Sequence, residues 1–186
     1  GSTPTKPGYR VLSVSPGSPA DKAGLVPFLD FIVEMNGTPL AQSEMPFQEL
    51  IMINKECKMK LGVYSLLTGT IREISVEAKE DWGGQGLLGL VLRFEDALAA
   101  AEKLFHVTQV LVDSPAYNAG LRPGDFILGS MEYNLPSPDE IAALAESKGS
   151  AKLMVFKQAS KTVEEVVING APLGCELAQG VLHSLA

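Results

Sequence analysis

Apolar and polar positions along the 186-residue chain fall into short runs, and the runs occur twice in the same order. Val11, Ser13 and Val14, and later Val107, Gln109 and Val110, form β-prone segments closed by Gly or Asp turn residues. Each predicts a strand. SPADKAGL at residues 18–25 and SPAYNAGL at 114–121 follow. In both, a Ser caps a helix whose first position is Pro19 or Pro115, and Gly24 or Gly120 ends it in the left-handed region. A helix of about one and a half turns is predicted in each place. Leu25 and Leu121 then return to the core, and DFIV or DFIL opens the next strand.

A longer helical stretch comes next, EMPFQELIMIN in the first copy and SPDEIAALAES in the second. Phe47, Leu50, Ile51 and Asn54 follow helical spacing, as do Ile141, Leu144 and Ala145, and Ser137 with Glu140 makes a capping box around Pro138. Hairpins turning at Thr68-Gly69 and near Ser160-Lys161 complete the copies. Strand, short helix, strand, long helix and hairpin thus make one module of about 90 residues, an ordinary size for a small domain. Two modules in tandem are expected.

Composition narrows the function classes. Hydrophobic residues make up 46% and charged residues 20%, with 18 Gly and 12 Pro, so a turn-rich globular protein is expected. The formal charge of −7 repels nucleic-acid backbones and anionic lipid, and no nucleic acid is expected as a partner. Cys57 and Cys175 match no zinc or redox spacing, which fits a reducing compartment. No apolar run approaches the roughly 18 residues needed to cross a bilayer, so membrane attachment is expected only through a lipid anchor or a partner. Gly1 and Thr5 fit the loose myristoylation pattern, although Gly1-Ser2 reads more simply as a cloning remnant. His106 and His183 lie in no Ser-His-Asp arrangement, and no nucleotide or paired-metal motif occurs. An enzyme is not expected.

A strand leading into SPAxxAGL, an Asp-Phe-Ile strand start and then Asn36-Gly37 resemble the PDZ domain, which takes up an extended peptide as an added strand. Its Gly-Leu-Gly-Phe loop normally precedes this core. Here loop-like sequences follow the hairpins, as WGGQGLLGLVL at 82–92 and APLGCEL at 171–177, which looks like a circular permutation. Tandem modules with PFLDFIVEMNG at 27–37 and WGGQGLLG at 82–89 are similar to the Golgi reassembly and stacking protein family, GRASP, over residues 8 to about 185. The first module reads Pro27-Phe28-Leu29-Asp30 where the second keeps Pro123-Gly124-Asp125, and the second has Asn169-Gly170-Ala171 in place of Trp-Gly-Gly. The alternative is a PDZ pair from a protease or signalling protein. That would explain the permuted order but not the Trp-Gly-Gly and Pro-Phe-x-Asp-Phe-Ile segments.

The resemblance implies an α+β fold of two tandem circularly permuted PDZ-like domains, each a small antiparallel β-barrel or sandwich capped by two helices. The expected boundaries are 8–94 and 105–186, with 95–104 as linker. Gly86, Leu87, Leu88 and Gly89 would cradle a carboxylate, Leu90, Val91 and Leu92 would offer an open strand edge, and Phe47, Leu50 and Ile51 would form the opposite wall. Leu173, Gly174 and Cys175 with Ile141, Leu144 and Ala145 are the counterparts. The resemblance implies a scaffold at the cytoplasmic face of the Golgi membrane that binds itself in trans and takes up the C-terminal tail of a golgin-type coiled-coil protein. Val181, Leu182 and Leu185 of the closing QGVLHSLA are expected as an internal ligand for a neighbour. Some members hold a metal with a His and a Cys; Arg10 and Glu95 stand at those positions here, and neither metal nor cofactor is expected.

Overall fold

The computed structural model describes residues 4–132, 137–180 and 182. The chain divides into two units, Gly1–Ala100 and Ala101–Ala186, each built on its own antiparallel sheet.

In the first unit β1 (Pro7–Val14) leads through α1 (Pro19–Lys22) to β2 (Asp30–Met35), a short β3 (Thr38–Pro39) and α2 (Phe47–Ile53). The hairpin of β4 (Lys58–Ser65) and β5 (Ile71–Glu77) follows, then β6 (Leu90–Asp96). The strands lie in the order β5-β4-β2-β1-β6, with β3 paired to β2. After α3 (Ala97–Glu102) the second unit repeats the path with β7 (Phe105–Val110), α4 (Pro115–Asn118), β8 (Phe126–Gly129) and α5 (Pro138–Lys148). It closes with β9 (Ser150–Lys157), β10 (Thr162–Asn169) and β11 (Cys175–Gln179), in the order β10-β9-β8-β7-β11. In both sheets the last strand of the unit returns beside the first, which is the permuted arrangement the loop positions implied. Residues 95–104, read from the sequence as linker, hold the end of β6 and the helix α3.

Local chemistry accounts for the repeated elements. Ser18 Oγ accepts from the Asp21 amide at 3.1 Å and Ser114 Oγ from the Tyr117 amide at 3.2 Å, each ahead of a Pro at the first helical position. Ser137 Oγ accepts from the Glu140 amide at 3.3 Å, and Gly149 ends α5 in the left-handed region. Below the helices, Val11, Leu25, Ile32 and Leu61 fill one core, and Val107, Leu121, Ile127 and Leu153 fill the other. Each fully buried Leu or Ile contributes about 1.5–3 kcal/mol.

A buried carboxylate stands at the start of β2 and immediately before β8. Asp30 accepts from the Val26 amide at 2.8 Å and pairs with Arg72 at 2.7 Å. Asp125 accepts from the amides of Arg122 at 2.9 Å and Gln158 at 3.0 Å and pairs with Lys157. Full satisfaction of each carboxylate offsets the cost of burying it and fixes the turn ahead of the strand. Among the described residues no helix is long and apolar enough to cross a membrane.

Candidate functional site

Strand β6 pairs on one side with β1, running from Pro7↔Asp96 to Val14↔Leu90, and among the described residues no strand lies on its other side. Beside that open margin is a groove of about 420 Å³. Its floor and strand side come from the loop 85–89 with Leu90 and Leu92, and its helical wall from Phe47, Gln48, Ile51 and Met52 of α2. Tyr9 on β1 stacks on Phe47 and meets Phe94 of β6 edge-on, both at 5.2 Å, tying the start of α2 to the margin.

The loop is held by its carbonyls. Ala20 donates its amide to the Leu88 oxygen at 3.0 Å, Ser15 to Gly89 at 2.9 Å and Lys79 to Leu87 at 3.0 Å. Trp82 Nε1 donates to the Gly86 carbonyl at 2.8 Å, and its ring lies over the chain at Gly84 and Gly89. Among the described residues nothing accepts from the amides of Gly86, Leu87 or Leu88. Those amides are free donors at the groove's end, the condition for receiving a carboxylate. Gly89 takes φ +76°, and a Cβ there would lie 2.3 Å from that of Ser18, so the loop reaches the α1 cap only with glycine at this place.

The second unit repeats the arrangement. Ala116 donates to Leu173 at 2.8 Å and Leu111 to Gly174 at 2.7 Å, and a Cβ on Gly174 would lie 2.1 Å from that of Ser114. Strand β11 pairs with β7 from Cys175↔Val110 to Gln179↔Phe105 and is likewise the last strand of its sheet. The groove beside it, about 350 Å³, is lined by Pro172, Leu173, Gly174, Cys175, Glu176 and Leu177, by Gln109 and Leu111, and by Pro138, Asp139 and Ala142 of α5. Burial pushes the Cys175 thiol up, which keeps it neutral and makes it part of the wall.

Of the residues read from the sequence, Gly86, Leu87, Leu88, Gly89, Leu90, Leu92, Phe47 and Ile51 meet in the first groove, and Leu173, Gly174 and Cys175 in the second. Val91, half-exposed on β6, does not line the first groove. Leu50 and Leu144 pack against the cores, and Ile141 and Ala145 lie inside the second core. Sequence reasoning passed over Gln48, Met52, Asp139 and Ala142. Helical periodicity finds the stripe facing the core, whereas the groove takes the adjoining face, about 100° further round the helix.

Leu182 is fully buried in its own chain, while Val181 and Leu185 lie outside the described residues. Arg10 and Glu95 form an ion pair at 3.5 Å. Arg10 also donates to the Phe28 carbonyl at 3.0 Å and sits between the rings of Phe28 and Phe31. Burial lowers its guanidinium to about 10, against the pull of Glu95. Among the described residues no three His, Cys, Asp or Glu side chains gather where they could hold a metal.

The GRASP55/65 PDZ-like domain model matches residues 2–91 and again 61–186. The chain belongs to this family. Within it, the chain is 36% identical over 187 residues to Golgi reassembly-stacking protein 1 of Homo sapiens and to that of Mus musculus. Each alignment covers 96% of the chain and 42% of the relative. An uncharacterized protein of Schizosaccharomyces pombe is 29% identical over 189 residues, 96% of the chain and 53% of that protein. The chain therefore spans about two fifths of the length of the mammalian GRASP relatives it matches.

Proposed function

We propose that this chain is the adhesive part of a Golgi stacking scaffold, working without catalysis at the cytoplasmic face of the membrane. Each open margin takes an extended peptide as a further strand. The ligands are a second copy of the chain in trans and the C-terminal tail of a golgin-type coiled-coil protein, and membrane attachment comes from a lipid anchor or a partner. One observation carries the reading: among the described residues, the final strand of each unit has an open outer margin beside a helix-walled groove. The names of the mammalian relatives support the setting.

The physics limits one contact to modest strength. One Leu-sized anchor contributes about 1.5–3 kcal/mol and each ladder bond about 0.5–1.5 kcal/mol. Ordering the peptide consumes part of this, leaving about −8 kcal/mol, or micromolar affinity. Many copies on a surface convert such contacts into avidity. A ligand drawn from the chain's closing residues has first to release Leu182 from its buried seat.

Beads coated with the chain test this. The wild-type chain should clump them reversibly, and Met52→Glu, at an exposed groove-lining position, should leave them dispersed. Met52 is preferable to Leu88, whose side chain belongs to the core. Wild-type beads that remain dispersed, or Met52→Glu beads that clump as well as wild type, would refute adhesion through the first groove.

A further inference from the structure

The two grooves share a scaffold but present different chemistry. In the first, Gln48, Met52 and Gln85 surround the apolar floor, and no charged side chain lines it. In the second, Asp139 and Glu176 line the walls from opposite elements, α5 and β11. Both carboxylates are exposed, and neither has an ion-pair partner among the described residues. Asp139 stands in the first turn of an 11-residue helix, where the helix dipole favours the anion. Glu176 follows Cys175 as Val91 follows Leu90, since Cys175 pairs with Val110 and Leu90 with Val14. An acidic side chain thus replaces an apolar one on the strand that borders the ligand.

The loops differ in the same direction. Leu88 and Leu173 are equivalent, each accepting from the second residue of a short helix, and so are Gly89 and Gly174. Pro172 therefore takes the place of Leu87. Leu87 offers a free amide to the groove, and proline has none. The second cradle thus has fewer donors for an anion and two fixed negative charges nearby.

We infer that the second groove takes an internal, extended segment carrying a Lys or Arg, and discriminates against a terminal carboxylate, with Asp139 and Glu176 setting the preference. This rests on the reading of both margins as peptide sites. The two grooves then recruit different ligands: the first, with its free amides and uncharged walls, suits an apolar chain end, and the second a cationic stretch within a partner. Electrostatic complementarity of this kind selects partners more than it adds affinity.

Three seven-residue peptides of alternating Val and Thr, acetylated and amidated, with Lys, Gln or Glu at the centre, provide the probes. A fourth is the Gln peptide with a free carboxylate. Each is titrated into the full chain while amide resonances of residues 173–177 and 86–90 are followed separately. At the second groove Lys should bind about fivefold tighter than Glu at low salt, the gap closing as salt shortens the screening length. Asp139→Asn with Glu176→Gln should bring that ratio close to one. The free carboxylate should weaken binding at 173–177 relative to the amidated Gln peptide. Equal binding of Lys and Glu peptides, or tighter binding of the free carboxylate at 173–177, overturns the inference while leaving the groove a peptide site. If no peptide, the neutral one included, perturbs 173–177, the peptide-site reading of the second unit fails and the inference with it.

Discussion

Gly86 and Gly89 share φ +76° but differ in surroundings. Space around Gly86 is open, whereas a Cβ at Gly89 would collide with Ser18. Gly86→Ala should therefore cost about 1 kcal/mol, the left-handed penalty alone, and Gly89→Ala at least about 3 kcal/mol because overpacking adds to it. Urea unfolding of the two variants measures the difference, and similar losses would show that the loop can move away from α1. At this scale the sequence was informative wherever one side chain acts on its neighbours in the chain. Ser18, Ser114 and Ser137 are caps, as a Ser before a Pro indicates. It was uninformative about partners distant in the chain, such as Arg72 for Asp30 or Lys157 for Asp125. An Asp at the head of a core strand signals only that some donor must come.

Among the elements, α2 places adjacent residues in two different surroundings. Ile51 is buried in the core while Met52 is 60% exposed and borders the groove. Ile51→Asp should destabilise the fold by about 3–5 kcal/mol, and Met52→Glu by no more than about 0.5 kcal/mol while abolishing adhesion. Thermal melts set beside the bead assay separate the two. The same geometry explains what could be read in advance. Apolar spacing locates both long helices, since burial of one face writes a period into the sequence, and turn residues locate both hairpins. The groove face has no such period: Gln48, Asp139 and Ala142 are ordinary helix residues until the strand opposite is in place. The helix α3 is not legible in the sequence because ALAAAE lacks the alternation of polar and apolar sides that marks a half-buried helix.

For the whole molecule, the charge of −7 acts between copies. Adhesion between like-charged chains should strengthen as salt rises from about 20 to 300 mM, because screening removes the repulsion and leaves the apolar contact. Light scattering of coated beads over that range measures the trend, and weakening with salt would mean that ion pairs hold the copies together. The outer margins of β6 and β11, which no strand covers among the described residues, have a further consequence. Most sheet proteins blunt such borders with lysine, proline or a covering helix. Here Val91 and Phe94 are about half exposed on β6. If each border captures a segment of a neighbouring copy, successive captures need not stop at a pair: they can extend as a chain whose length follows protein density. Crowding on a membrane would then set how far adhesion spreads, and dilution would undo it without any bond being cut.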